Sequence, residues 1–136
     1  MYVGPLPDFA IRLGERLSSL KLMPTLPDQL IVNEYLPGQG IASHVDCEPC
    51  FGDTITTVSL GSECVMHFTR TEDQYAFDLL LQVGSALVFS GDARYRWKHG
   101  IKARKKDHGR PRGRRVSLTF RNVLLKPRSA AELPSA

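Results

Sequence analysis

The sequence has no long apolar run. Its longest uncharged, apolar-leaning stretch, Leu79 to Gly91, is 13 residues and includes Gln82 and two glycines. A membrane span needs roughly 18 such residues. The opening MYVGPLPDF lacks the basic start and apolar segment of a secretory signal. A cytoplasmic, reducing setting with no membrane partner is therefore expected. Cysteine is sparse, and in that setting its three residues are expected as thiols. Cys47 and Cys50 form a single C-x-x-C in DCEPCFGD. Zinc would need two more ligands, for which only Cys64 and His67 offer themselves. A thioredoxin-like redox pair would need the motif at a helix start after a strand. Ordinary thiols beside a loop are the expectation, with zinc or a redox pair as alternatives. Acidic residues are scarce at one end. Residues 1–97 carry 6 Lys/Arg against 12 Asp/Glu, whereas residues 98–136 carry 12 against 2, within a formal net charge of +4. The densest stretch is KHGIKARKKDHGRPRGRR, residues 98–115. Such a block is ordinarily a solvated loop, but basic charge on one side of a domain also suits a phosphate backbone.

What is present suffices for one domain: 136 residues, 42% of them hydrophobic. Residues 8–20 read as a helix, with Asp8 as its cap and Phe9, Leu13, Leu17 and Leu20 on one face. Beyond a proline-broken connection, short apolar runs separated by glycine or charged turns predict strands at 29–36, 54–60, 63–69, 75–81, 85–90 and 115–123. Shorter ones are expected near 41–46 and 95–101. The LGSE between two of these runs signals a tight hairpin. A single domain over 1–125 and a frayed tail over 126–136 are expected. One helix followed by six to eight short strands predicts a mainly β sandwich or jelly roll, with a mouth between its sheets.

The stretch NEYLPGQGIASHVD, residues 33–46, raises the first question of chemistry. In a strand, i and i+2 point to the same face, so His44 and Asp46 can reach one point. Such pairs are also common by chance. A third ligand is available in His99, 53 residues after Asp46 in another expected strand. Two histidines and one carboxylate on one octahedral face leave positions open, an arrangement suited to Fe(II) that must take a bidentate co-substrate and O₂. His67 and His108 compete, though a strand position and a charged loop suit packing and surface roles better. In RRVSLTFRN the odd residues Arg115, Ser117, Thr119 and Arg121 share a face, opposite Val116, Leu118 and Phe120. They are either a polar outer face or an inward strip whose guanidiniums pair bidentately with carboxylates. Asn33 and Tyr35 also share a face and can bond the same ligand.

Together, N-x-Y-x-P-G-Q-G-I-x-x-H-x-D, S-L-G-S-E, G-x-A-R-Y-x-W-x-H-G-I and R-R-x-S-L-T-F-R resemble the AlkB family of Fe(II)/2-oxoglutarate dioxygenases. They resemble most the branch with the tRNA wobble-uridine hydroxylase and its bacterial relatives. The resemblance covers residues 33–123, about two thirds of the chain. It implies a double-stranded β-helix (jelly roll, cupin-like) with a short N-terminal helix. It also implies Fe(II), with 2-oxoglutarate and O₂ as co-substrates, and oxidation of alkyl groups on DNA or RNA bases by demethylation or hydroxylation. His44, Asp46 and His99 match the iron ligands. Arg115 and Tyr35 match the residues at the far carboxylate of 2-oxoglutarate, and Asn33 and Arg121 those at the carboxylate next to the ketone. Ser117 stands where some members have asparagine. Glu48 falls where some members use an acidic residue against the base. The family carries extra strands and a nucleotide lid before the N-x-Y strand; here 32 residues precede Asn33, so that region is expected to be short or missing. By its place in the chain the basic block is expected at the rim of the active-site mouth, with Lys102, Arg104, Lys105 and Lys106 toward nucleic acid. Trp97, Tyr95 and Phe51 are candidates to stack a base or to fill the core. Two other readings stay open: the same chemistry on a protein or small molecule, and a non-catalytic nucleic-acid-binding module. DNA against RNA and the oligomeric state stay open as well.

Overall fold

The structure, a computed structural model, describes residues 4–124; the tail expected over 126–136 lies outside them. Its elements in chain order are α1 (Asp8–Ser19), β1 (Gln29–Tyr35), β2 (Ile41–His44), β3 (Ile55–Leu60), β4 (Cys64–Arg70), β5 (Ala76–Leu81), β6 (Ala86–Phe89), α2 (Asp92–Tyr95), β7 (Trp97–Ile101), β8 (Lys106–Asp107), β9 (Arg110–Pro111) and β10 (Arg115–Arg121). Two four-stranded antiparallel sheets, ordered β1-β10-β3-β6 and β2-β7-β4-β5, face each other, and β8-β9 forms a small ribbon beside them. The chain changes sheet at nearly every turn, which makes this a double-stranded β-helix.

That topology corrects one expectation. The LGSE turn does not close a hairpin, because β3 pairs with β10 and β6 whereas β4 pairs with β5 and β7. The turn carries the chain from one sheet to the other. Gly61 takes φ +82 there, and a Cβ on it would lie 2.5 Å from the Arg114 carbonyl oxygen, so glycine is needed on both counts.

β10 divides the interior. Its even residues Leu118 and Phe120 pack with Val58, Ala10, Leu17 and Met23 under α1. A second apolar cluster between the sheets joins Ile55, Met66, Phe68, Leu81, Phe89 and Ile101. Each such side chain, buried, contributes about 1.5–3 kcal/mol. The buried stripe of α1 is Ala10, Gly14 and Leu17, with Leu13 packed beside it. Of the expected face Leu13 and Leu17 are inside, whereas Phe9 and Leu20 are 50% and 52% exposed. The helix rolls onto Gly14, whose missing side chain admits Pro27, only 3.0 Å from where a Cβ would stand. Asp8 does not cap it. Pro7 holds the N-cap position, and Asp8 sits in the first turn, where its charge favours the helix start.

Strand direction sorts the loops into two ends. Tyr35 faces Arg115 and Gln29 faces Arg121 across β1 and β10, so one end of the barrel carries Arg115 and the other Arg121. β7 runs toward the Arg115 end, where the loop after it packs on the turn before β2: a Cβ on Gly40 would collide with the backbone of Ile101–Ala103. The basic block therefore continues past the Arg115 end. It lies away from the end that carries Asp46 and Arg121.

The block is pinned by one carboxylate. Asp107, 5% exposed, accepts from Arg112 Nε (2.6 Å), Arg112 Nη2 (2.9 Å), Arg104 Nε (2.8 Å) and Val65 N (3.1 Å). Burial alone would raise its pKa, but the bonds from Arg112, Val65 and Arg104 outweigh that and hold its carboxyl well below the usual carboxylate range. A depressed folded pKa stabilises the fold above the unfolded value of about 3.9, and this is lost as pH falls through the folded value. Asp107→Asn is expected to cost on the order of 3–5 kcal/mol at pH 7, because two arginines lose their shared anion. The gap to wild type should narrow in strong acid. Urea midpoints at pH 7 and pH 3 check this; equal midpoints at pH 7 would remove Asp107 as the anchor.

Candidate active site

The space between the sheets is a cavity of about 210 Å³. Asn33, Tyr35, His44, Asp46, His99, Arg115, Ser117 and Arg121 all line it. Strand alternation brings most of them there: Asn33 pairs with Ser117 and Tyr35 with Arg115 across β1 and β10, and His44 pairs with His99 across β2 and β7. Asp46 comes from the loop just past β2.

At one end of the cavity, one ligand atom from each of His44, Asp46 and His99 lies within 4.8 Å of the others. Both imidazole Nε2 atoms approach the same carboxylate oxygen, Asp46 Oδ1, at 3.3 Å from His44 and 3.5 Å from His99. His44 Nδ1 donates to the Ala42 carbonyl at 2.8 Å, which fixes the tautomer and leaves Nε2 as the outward donor. The Asp46 hydrogen bond, foremost, raises the His44 pKa. Burial and the neighbouring His44 push His99 down to about 4, so at neutral pH it is an uncharged imidazole able to donate a lone pair. Burial opposes ionisation of Asp46, but the bond to His44 and the nearby His99 and Arg121 lower its pKa on balance. Two imidazole nitrogens and one carboxylate form a donor set for a divalent transition metal, which would displace the proton that Asp46 favours on His44.

Two arginines line the same cavity, Arg121 beside Asp46 and Arg115 at the other end. Arg115 is 3% exposed. Its Nη2 donates to Ser59 Oγ at 2.9 Å, its Cζ lies 5.4 Å from the Tyr35 ring centre, and its buried Nε has no partner. Among the described residues no carboxylate pairs with it. Arg121 Nη1 donates to Asp46 Oδ2 at 3.2 Å, its Cζ lies 4.0 Å from the Phe51 ring centre, and its buried Nε is also unpartnered. Burial lowers both guanidinium pKa values, yet neither deprotonates at physiological pH. Burying a guanidinium without an anion is costly, and Arg115 has none. Arg115 and Arg121, at opposite ends of one strand face with an unpartnered Nε each, fit a dicarboxylate, so the residues fit both a metal and an acidic co-substrate.

The remaining expected residues fall elsewhere. Glu48 is exposed on the turn after Asp46 and does not line the cavity. Trp97 is half-buried, edge-on to Phe77 with ring centres 5.3 Å apart, and packs on the inter-sheet cluster. Phe51 lies under Arg121, whereas Tyr95 is 39% exposed on α2. His67 is bonded to Asp78 at 2.7 Å, and His108 is exposed. Arg104 is taken up by Asp107, while Lys102, Lys105 and Lys106 are exposed and form no ion pair among the described residues. Cys47 and Cys50 are not thiols here; they form a disulfide, their Cα atoms brought to 5.2 Å by a turn in which Cys50 N donates to Cys47 O. The residue reading overlooked Thr57 and Ser59. Their small polar side chains alternate with apolar ones in ITTVSL, which was the available signal.

Comparison with known proteins agrees with this geometry. The pattern shared by the 2OG-Fe(II) oxygenase superfamily matches residues 3–121. The chain belongs to that superfamily. Among relatives of this oxygenase chain, the tRNA (carboxymethyluridine(34)-5-O)-methyltransferase ALKBH8 of Macaca fascicularis is 37% identical over 91% of this chain and 22% of its own length. The uncharacterized protein L905 of Acanthamoeba polyphaga mimivirus is 37% identical over 88% of this chain and 59% of its own. The probable RNA/DNA demethylase ALKBH6 of Danio rerio is 30% identical over 90% and 65%. The chain thus spans between about a fifth and two thirds of these relatives. The solved structure of OsALKBH1 superposes with a TM-score of 0.67 over 86% of this chain and 66% of that one, at 23% identity, and shows the same fold.

Proposed function

We propose that this oxygenase is an Fe(II)/2-oxoglutarate-dependent dioxygenase that oxidises alkyl groups on nucleic-acid bases, by demethylation or hydroxylation of DNA or RNA. The observation that carries the chemistry is the convergence of His44, Asp46 and His99 in the cavity that also holds the unpartnered Nε atoms of Arg115 and Arg121. Bound Fe(II) with 2-oxoglutarate supplies the activation of O₂ needed to oxidise an unreactive C–H bond. The chain's own part is to hold these groups. The bond to Ala42 keeps His44 Nε2 directed at the metal, and burial keeps His99 neutral. Arg115, beside Tyr35, holds the far carboxylate of the co-substrate in a two-pronged grip. Arg121 and Asn33 hold the carboxylate next to the ketone. We also propose a reducing, cytoplasmic setting, where Fe(II) persists and the Cys47–Cys50 bridge would open to thiols.

The nucleic-acid part rests on the activities for which the ALKBH8 and ALKBH6 relatives are named and on the lysines. In the block after β7 the arginines are engaged: Arg104 and Arg112 with Asp107, Arg110 with Glu63, Arg114 with Glu34. Lys102, Lys105 and Lys106 remain as the groups able to displace counterions. Purified protein should release succinate from 2-oxoglutarate in a metal-dependent way, faster with alkylated than with plain oligonucleotide. Replacing the three lysines by Gln should weaken oligonucleotide binding and flatten its dependence on salt, each lost phosphate contact removing about 0.7–0.9 from the slope of log K against log salt. Turnover of 2-oxoglutarate without oligonucleotide should be unchanged. Arg104 is left intact because its loss would loosen the loop. Unaltered binding and slope, with succinate release stimulated instead by peptides, would move the substrate to protein.

A further inference from the structure

Arg94 stands in the G-x-A-R-Y-x-W-x-H-G-I stretch with no role assigned to it above, yet among the described residues it is one of the most buried charges, at 2% exposure. No carboxylate pairs with it among the described residues. Its guanidinium donates only to backbone carbonyls, and all of them belong to one loop: Nη1 to Asp46 O at 2.7 Å, Nη2 to Cys47 O at 3.2 Å and to Phe51 O at 3.5 Å, and Nε to Gly52 O at 3.1 Å. Its Cζ also lies 4.9 Å from the Tyr95 ring centre. Burying a guanidinium against neutral dipoles alone is costly, so the arrangement needs a reason beyond packing.

The two chain segments that Arg94 joins supply it. Arg94 sits on α2, and β7 follows at Trp97, carrying His99. The carbonyls belong to the loop that starts at Asp46. No β-ladder ties that loop to β7 past the His44–His99 pair, and Asp46 itself lies outside any strand. We infer that Arg94 is the positioning residue that sets Asp46 against His99, holding the metal-ligating triad assembled before any metal arrives. Five donors in a rigid fork suit this task, since one planar group can gather carbonyls from both ends of a turn. Lysine at this position can reach only part of the set. The Cys47–Cys50 bridge closes the same turn from the solvent side, so the loop is fastened at its inner and outer faces.

The inference rests on the metal reading of the triad, and the test separates the two. Co(II) titrated into the metal-free chain reports affinity and, through its visible absorption, coordination geometry, with no turnover involved. Arg94→Lys is expected to weaken Co(II) binding about tenfold to a hundredfold, the usual cost of losing an outer-shell partner, and to change the absorption spectrum. Arg112→Lys is the control: Arg112 is similarly buried, at 8%, but holds Asp107 at the far end. It should lower thermal stability while leaving affinity and spectrum at wild-type values. Wild-type affinity and spectrum in a folded Arg94→Lys variant would overturn the positioning role and leave the metal reading intact. No Co(II) binding by wild type would remove both. Should Arg94→Lys not fold, hydrogen exchange on the metal-free wild type decides. The amides of Phe51 and Gly52, bonded to Cys47 O and Asn122 O, should already be protected; protection that appears only when Co(II) is added would show that the metal, not Arg94, orders the loop.

Discussion

His99→Ala is expected to lose metal binding by more than about a hundredfold, beyond the loss of an outer-shell partner, and to abolish succinate release. The fold should remain. The imidazole stands 15% exposed between the rings of His44 and Phe89, with ring centres 4.5 Å from each, and it faces a cavity rather than a packed core. Truncating it enlarges space that already exists, while β7 keeps its ladder to β4 through backbone groups. Two ligands then hold the metal where three did. His67→Ala and His108→Ala serve as comparisons, because His67 is engaged with Asp78 on the outer sheet face and His108 is exposed. Metal content after chelation and reconstitution is the measurement. Iron retained by the His99 variant and lost from the His67 variant would reverse the assignment.

Arg115→Lys is expected to weaken 2-oxoglutarate binding by about 2 kcal/mol, roughly thirtyfold, the cost of hydrogen bonds made to a charged group. Lysine keeps the charge and loses the planar fork that the Tyr35 ring and Ser59 Oγ hold in place. The matched surface change is Arg110→Lys, whose side chain is 73% exposed in its pair with Glu63; it should leave the affinity alone. Calorimetric titration into metal-loaded protein reads both. Equal affinities for wild type and the Arg115 variant would take Arg115 out of the co-substrate site.

Much of this molecule could be read from its sequence because the signals concerned were periodic. Alternation in RRVSLTFRN sorted the residues of β10 into two faces, though not which face held the site. The His44–Asp46 spacing brought two candidate ligands together on a strand argument, whereas β2 ends at His44 and Asp46 lies in the loop beyond it. What could not be read depended on partners distant in sequence. LGSE has the composition of a hairpin, yet whether β3 and β4 pair is decided by β10 and β7. The face of α1 shifted because Pro27 fits against Gly14, a contact no helical periodicity encodes. The basic block could be seen but not located, since its end of the barrel follows from the direction of β7. Within the block, nothing local marks Asp107 as the anchor of Arg104 and Arg112. Arg94 could be seen as a position of G-x-A-R-Y-x-W-x-H-G-I, but its task follows only from the loop it binds.

The two faces of β10 also constrain how this chain can change over evolutionary time. Because side chains alternate with a period of two, one residue inserted within Arg115–Arg121 would turn the guanidiniums toward α1 and Phe120 toward the cavity. Two residues would restore the faces but move Arg115 away from Tyr35 and Ser59. Substitutions can adjust the strand; insertions and deletions cannot. The Gln82–Ser85 turn lies under no such restriction and is exposed over most of its length. Lineages descended from this sequence should therefore differ in length at that turn and keep the seven-residue span of β10 fixed.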